Sequence, residues 1–293
     1  MRTLAILGMS VVLIAPVWGP PQLSAPFGIT ALSTRGQRKE PAMTWTNIAG
    51  SVSLLGVAKV LSLQASELPA SWSSDSTAGP CMAASFGTFA AGHCPLPPAV
   101  QQADNEKFAR CLKVPISRVG MLTGSDEPGE PFTYSSSTFT GSGGSDTNPV
   151  AMAPSAQSYL SIEKSTPEER FDLAAFSAAS FLGCYTILQK GATWALLKSL
   201  AVAGHLSLSS APLHKLPISK IAGVTAVAYQ DQLNFHSARF TGSIIYSMVI
   251  LGAGPIEEVL DLQGSSAYPF PARLESKIVT DVERHLAGYA GRD

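Results

Sequence analysis

The sequence predicts an α+β fold in which helices flank an antiparallel β-sheet. Three observations carry this prediction. Three strand-like runs lie between residues 227 and 263, helix patterns precede and follow this region, and the connections within it are short. Consecutive strands with short connections pair as antiparallel neighbours, and helices cover the apolar surface of such a sheet. Four cysteines add the prediction that disulfides staple the fold.

Three consecutive strands are predicted in the last third of the chain. Residues 227–236 alternate apolar and polar side chains, which is typical of a half-buried strand. Residues 244–251 are apolar at nearly every position, which predicts a central strand that is buried on both faces. Gly252–Pro255 then turns the chain into a third strand, Ile256–Gln263.

Helices are predicted before and after these strands. Thr166–Glu169 is an N-terminal capping pattern that starts a helix running to about Lys190. The last helix begins near Pro271 and carries one apolar stripe, namely Leu274, Ile278, Val282 and Leu286. The polar stretches Ser71–Gly79 and Gly141–Pro149 are too short to separate domains. Residues 53–293 are therefore predicted to form a single domain.

Residues 1–31 are predicted to be a secretory signal peptide. Arg2 precedes an apolar run, Thr3–Trp18, and a plausible cleavage point follows Ala31. A membrane anchor is the alternative, but a span needs about 20 apolar residues, and prolines from Pro16 onward interrupt the run. Residues 32–52 would then be a flexible stalk. The protein is expected to be secreted or associated with the cell envelope.

The charge balance excludes a general nucleic-acid binder. The chain has 20 Lys and Arg residues against 21 Asp and Glu residues, so its formal net charge is -1. Such a chain offers no broad attraction to nucleic acid or to anionic lipid. Its 45% content of hydrophobic residues is also unlike that of a disordered chain. Contact with a membrane is expected only through an uncleaved N-terminal segment.

The four cysteines, Cys81, Cys94, Cys111 and Cys184, are an even set in a chain predicted to be exported. An oxidising compartment favours two disulfides. Three pairings are available, and the spacing favours Cys81 with Cys94 and Cys111 with Cys184. The alternative is a metal site made from Cys81, His93, Cys94 and Cys111, although this spacing fits no closed zinc module.

Five segments of the sequence resemble a known family. They are Leu61–Trp72, Phe108–Pro115, Ser137–Phe139, Val150–Ala156 and Phe181–Cys184. In the order and spacing of these segments the chain resembles actinobacterial exported proteins related to the extracellular sensor domain of mycobacterial Ser/Thr kinases. The resemblance covers about residues 55–289.

The resemblance implies a PsbP-like α/β sandwich, a shared disulfide between Cys111 and Cys184, and no catalytic residues. The insert that carries Cys81 and Cys94 departs from the simpler members of the family. No kinase domain is expected in this chain either. These departures argue against direct kinase signalling.

Catalytic motifs are weak throughout the sequence. Ser161–Lys164 fits the Ser-x-x-Lys pattern of penicillin-interacting enzymes, but the Lys-Thr-Gly that such enzymes require is absent. Gly252–Gly254 is a turn between strands, so it does not open a helix that could receive a phosphate. None of the five histidines has a metal-ligand spacing. We therefore expect a non-enzymatic protein without a cofactor or a metal.

A cluster of carboxyl groups falls on the third predicted strand. Side chains alternate between the two faces of a strand. Glu257 and Asp261 are therefore expected on one face and Glu258 on the other. The split weakens the case for a catalytic carboxylate pair at this position.

Aromatic residues predict a ligand cleft between the sheet and the helices. The candidate lining residues are Tyr229, Phe235, His236, Tyr246 and Trp72, and packing of the aromatic rings in the core is the alternative. The sequence favours sensor-like binding of a small apolar or amphipathic ligand, or of a protein partner, in this cleft. A structural or interaction module of the cell wall is the second hypothesis. A hydrolase whose site is assembled from distant residues is the third.

Overall fold

The computed structural model of the chain describes residues 54–75, 98–116, 119, 132–144, 151–163, 166–192, 194, 195, 198, 202, 207–218, 221–238 and 241–290. These residues belong to one compact unit. They form an antiparallel sheet with helices on both faces, which confirms the predicted α+β class. The predicted signal peptide and stalk lie outside the described residues. Within the described ranges, no helix is both long enough and apolar enough to cross a bilayer.

The described residues form nine strands, all paired antiparallel. They are β1 (Ser73–Asp75), β2 (Phe132–Ser135), β3 (Thr138–Thr140), β4 (Ser155–Ile162), β5 (Ser207–Ser210), β6 (His214–Leu216), β7 (Thr225–His236), β8 (Thr241–Ala253) and β9 (Ile256–Ser265). The order across the sheet is β1-β3-β4-β9-β8-β7-β5, with β2 also paired to β4 and β6 also paired to β7. The central strand is therefore β9.

The predicted three-strand meander is confirmed as β7, β8 and β9. Each strand pairs with the next along the chain, in a register that places Tyr229 opposite Met248 and Met248 opposite Asp261. The turn between β8 and β9 contains Gly254 with a φ of 61°. Glycine adopts this left-handed conformation without the steric cost that a Cβ atom imposes.

The main helices are α1 (Leu54–Leu61), α2 (Pro98–Leu112), α3 (Thr166–Ser177), α4 (Ala179–Lys190) and α5 (Ala272–Ala290). The single helix predicted from residue 166 to about 190 is wrong, because Ala178 is extended, with a ψ of 149°. In one continuous helix, Phe176 and Phe181 would point about 140° apart. The break lets both rings enter the same core, where their centroids lie 6.1 Å apart.

The sheet is covered on both faces. Helices α1 and α5 pack on one side, called the α5 face below, and its core includes Leu160, Val249, Leu260, Ile278, Val282 and Leu286. Helices α2, α3 and α4 pack on the other side, called the α4 face, and its core includes Phe108, Phe176, Phe181, Tyr185, Tyr229 and Ile250. The apolar stripe predicted for the last helix therefore packs on the sheet.

A disulfide joins Cys111 of α2 to Cys184 of α4, with the Cα atoms 5.6 Å apart. This bond confirms the predicted pairing of these two cysteines. It also contradicts the alternative metal site, because a sulfur in a disulfide cannot serve as a thiolate ligand. The other residues of that alternative, Cys81, His93 and Cys94, lie outside the described residues, as does the predicted bond between Cys81 and Cys94.

Replacing both Cys111 and Cys184 by Ser is expected to lower the free energy of unfolding by roughly 4 kcal/mol. The bond spans a sequence separation of 73 residues, and closing so long a loop reduces the entropy of the unfolded chain. Urea denaturation of the oxidised protein measures the loss. As a control, Ser180→Ala, at an exposed position of the same helix, should leave the midpoint unchanged. Equal midpoints for the wild type and the double variant would contradict the expectation.

Candidate functional site

The five residues predicted to line a cleft do not share one face of the sheet. Tyr229, Phe235 and Tyr246 lie on the α4 face. His236 follows Phe235 directly and points to the opposite face, where it is exposed. Trp72 packs beside the core of the α5 face. The structure thus brings three of the five residues to one layer and places two elsewhere.

Tyr229 is part of the core beneath α3 and α4. Its side chain is buried, and its ring centroid lies 4.6 Å from that of Phe181. Its hydroxyl donates a 2.5 Å hydrogen bond to the carbonyl oxygen of Phe176. Since the ring and the hydroxyl are both engaged within the protein, Tyr229 fits the core-packing alternative.

A row of polar side chains interrupts the α4 face where its two apolar clusters meet. The row consists of Asp231 on β7, Tyr246 on β8 and Asp261 on β9, and is called the polar row below. Asp231 lies directly opposite Tyr246, while Asp261 lies opposite Met248. Neighbouring strands are about 4.8 Å apart, so the two carboxyl-bearing strands are separated by roughly 10 Å. Tyr246 lies between them.

Asp231 is held by hydrogen bonds from α4 and from its own strand. Tyr185 Oη donates to Asp231 Oδ2 at 3.2 Å, and Gln189 Nε2 donates to Oδ1 at 3.1 Å. The backbone N–H of Gln232 donates to the same Oδ1 at 2.8 Å. Burial raises the pKa of Asp231, and these three hydrogen bonds oppose the increase. The carboxyl group is therefore fixed in position by the surrounding donors.

Asp261 has a different environment. Its side chain is partly buried, and no described residue forms a hydrogen bond or an ion pair with its carboxyl group. Burial raises the pKa of Asp261 to about 7. Burial also raises the pKa of Tyr246, and the charges of Asp231 and Asp261 raise it further. Asp261 is thus a carboxyl group that changes charge near neutral pH.

The neighbours of Asp261 in the sheet are apolar on one side and polar on the other. Met248 lies opposite it on β8, and Gln157 lies opposite it on β4. The Gln157 amide is fixed, since its Oε1 accepts a hydrogen bond from Thr138 and its Nε2 donates to the carbonyl oxygen of Ser136. A ligand at this point would meet a carboxyl group beside an apolar surface. This arrangement suits a small molecule with an apolar body and a hydrogen-bond donor at one end.

The sequence pattern correctly predicted that Asp261 and Glu258 lie on opposite faces of the strand, but it did not single out Asp231 as a candidate site residue. The register confirms that Asp261, opposite Gln157, and Glu258, opposite Leu160, point to different faces. A signal for Asp231 was present, because it is the one polar residue in the apolar phase of residues 227–235. A polar residue in the buried phase of a strand indicates either a hydrogen-bonded core group or a functional group.

The serine of the weak catalytic motif lies in a strand, and Lys164 lies outside the described residues. Ser161 lies in β4, and its Oγ donates a 2.6 Å hydrogen bond to Glu163 Oε1. The Ser-x-x-Lys arrangement needs a helix, because only a helical turn brings the residue three positions later to the same side. Within the part of the chain that the structure describes, no three His, Cys, Asp or Glu side chains are grouped so as to hold a metal ion.

Stability is expected to fall as the pH rises from about 4 to about 7, with Asp261 as a main cause. A carboxyl group whose pKa is raised from 3.8 to about 7 in the folded state contributes stability that is complete below the unfolded value and is lost as the pH rises through the folded value. The loss is at most about 1.4 kcal/mol per pH unit in this window. Urea denaturation at several pH values measures it.

Asp261→Asn removes this titration, so the variant should keep only the pH dependence of the other buried carboxyl groups and lose less stability over this window than the wild type. Glu106→Gln is the matched control, since Glu106 is an exposed carboxyl group on α2, and it should behave like the wild type. An unchanged pH dependence in Asp261→Asn would contradict the assignment.

The chain was compared with protein-family models, with curated proteins and with solved structures, and none of them matches it.

Proposed function

We propose that the protein is an exported, non-enzymatic binding protein of sensor type, which holds a small amphipathic ligand at the polar row on the α4 face. The observation that carries the proposal is Asp261, a partly buried carboxyl group that no described residue pairs. Leaving such a group without a partner in apolar surroundings costs free energy. Carboxyl groups with perturbed pKa values cluster at functional sites.

The two aspartates of the polar row differ in a way that suits binding. Asp231 has three internal hydrogen-bond donors and serves as a fixed part of the wall. Asp261 has acceptor oxygens that remain for an incoming molecule. Met248 and the apolar clusters on either side make the surroundings of the row apolar, which suits a ligand with an apolar body. Since neither aspartate forms an ion pair with a described residue, a head group that is cationic or uncharged suits the site better than an anion.

We further propose that the fold is PsbP-like and that the chain belongs with the exported sensor-related proteins that its sequence resembles. The antiparallel sheet with helices on both faces and the bond between Cys111 and Cys184 support this proposal. Disulfides persist in oxidising compartments, which supports export to the cell envelope. The apolar run Thr3–Trp18 supports a signal peptide at the start of the chain.

An interaction module of the cell envelope is the second candidate function. Its specific support is helix α1, on which Leu55 is 44% and Val60 is 68% exposed. Large apolar side chains on a short outer helix offer a contact for a protein partner. A hydrolase remains the least supported candidate, because Ser161 is engaged with Glu163 in a strand.

Thermal denaturation with three probes that share one tail tests the binding proposal. Octylamine, octanoate and octyl glucoside present a cationic, an anionic and an uncharged head on the same chain. At a free concentration of about ten times its dissociation constant, a ligand that binds only the folded state stabilises it by about 1.4 kcal/mol. This raises the Tm by roughly 3 °C. We expect this increase with octylamine or octyl glucoside and a smaller one with octanoate.

Asp261→Asn should weaken binding of the stabilising probe about tenfold, as expected for loss of a charged hydrogen-bond acceptor. Glu106→Gln, with its change at an exposed position of α2, should bind like the wild type. If none of the three probes raises the Tm, or if Asp261→Asn binds as well as the wild type, the polar row is not the site. Crosslinking that captures a cell-envelope protein through α1 would then favour the interaction module.

A further inference from the structure

Helix α5 carries a second stripe beside the apolar one. Lys277, Asp281 and His285 are spaced four residues apart, so they lie on one flank of the helix. Asp281 accepts hydrogen bonds from Lys277 Nζ and from Arg284 Nη1, both at 2.8 Å. This polar flank contacts protein as well as solvent, because Lys277 and His285 reach a turn elsewhere in the chain.

This turn contains Glu67, which contacts α5 at two points. Its carbonyl oxygen accepts a 2.9 Å hydrogen bond from Lys277 Nζ. Its carboxyl Oε1 lies 3.5 Å from His285 Nδ1, while Oε2 accepts a 2.6 Å hydrogen bond from the Gln64 backbone. The Glu67 side chain is only 8% exposed. Both halves of α5 are therefore attached to one buried acidic residue.

A second carboxyl group, that of Glu258, lies on the same face of the sheet beneath the helix. Glu258 is completely buried on β9, and no described residue forms a well-directed hydrogen bond to either of its carboxyl oxygens. The Ser158 hydroxyl and the Leu63 backbone N–H are its polar neighbours, and the Leu63 N–H donates its proton to Ser158 Oγ at 3.0 Å. Burial raises the pKa of Glu258 well above its ordinary value and the charge of Glu67 raises it further, while the Ser158 hydroxyl and the Leu63 N–H oppose the increase.

We propose that Glu67, Glu258 and His285 form a proton-controlled latch, which holds α5 on the sheet at acidic pH and loosens the helix as the pH rises. At acidic pH Glu258 is neutral, and the contacts of Glu67 with Lys277 and His285 hold α5 against the turn. As the pH rises, Glu258 can ionise only when α5 moves away and water enters. The latch lies on the face of the sheet opposite the polar row, so it stands independently of the proposed ligand site.

The charged groups that face the latch determine whether docking of α5 strengthens or weakens as the pH rises. Burial raises the pKa of Glu67, with a smaller increase from Asp281, while the Gln64 N–H, His285 and Lys277 oppose the increase. Burial also raises the pKa of Glu283, a buried carboxyl group on α5 itself. Each of these carboxyl groups binds its proton more tightly with the helix docked. Docking is therefore complete at acidic pH and weakens as the pH rises through the raised values.

Hydrogen–deuterium exchange of the full-length oxidised protein between pH 5.5 and 8.5 tests the latch. Protection factors, corrected for the intrinsic pH dependence of exchange, are compared for peptides from α5 and from β8. One carboxyl group that must ionise on release weakens docking by up to about tenfold per pH unit. We expect α5 to lose at least about tenfold more protection than β8 over this range.

Glu258→Gln should abolish the excess loss, because the amide is neutral at every pH. Glu275→Gln is the matched control on the same helix, and it should retain the wild-type dependence. If Glu258→Gln does not fold, Glu67→Gln serves instead, and it should reduce the excess loss because the charge that raises the pKa of Glu258 is gone. Equal loss of protection in α5 and β8 would contradict the proposed latch. An unchanged excess loss in the variant that folds would also contradict it.

Discussion

The burial of strand β9 between two helix layers is the constraint on which the rest of the structure depends. This strand lies at the centre of the sheet and carries Glu258 toward the α5 face and Asp261 toward the α4 face. Charged groups in such surroundings need a partner or must become neutral. For both residues burial raises the pKa, so the protein accommodates them by proton binding. A sheet with one open face would not impose this condition.

In each layer a helix contacts buried acidic residues, but the contacts differ between the two layers. On the α4 face, the bond between Cys111 and Cys184 and the packing of Phe181 against Tyr229 fix α4, whose Tyr185 side chain then reaches Asp231. On the α5 face no described residue supplies a covalent link, and Lys277 and His285 of the polar flank reach Glu67. The first layer is thereby suited to a rigid binding wall, and the second to a helix whose docking responds to pH.

Local patterns in the sequence predicted the helices and strands, but they could not predict contacts between residues that are far apart in the chain. Alternation with a period of two predicted β7, β8 and β9 and placed Glu258 and Asp261 on opposite faces. The same alternation places His236 on the face opposite Tyr229 and Phe235, away from the predicted cleft. The break at Ala178 has no local signal, because it serves the burial of two phenylalanine rings. The contact between Glu67 and His285 joins distant parts of the chain, so no spacing rule could have indicated it.

A direct determination of the two side-chain pKa values tests the central claim. Carboxyl carbon chemical shifts, followed by nuclear magnetic resonance from pH 3 to pH 9 and assigned with Asp261→Asn and Glu258→Gln, report each group separately. We expect Asp261 to titrate near pH 7 and Glu258 to titrate well above its ordinary value of 4.5. Titration of both groups near pH 4 would show instead that they are solvated or paired, and that burial of β9 does not force them to bind protons.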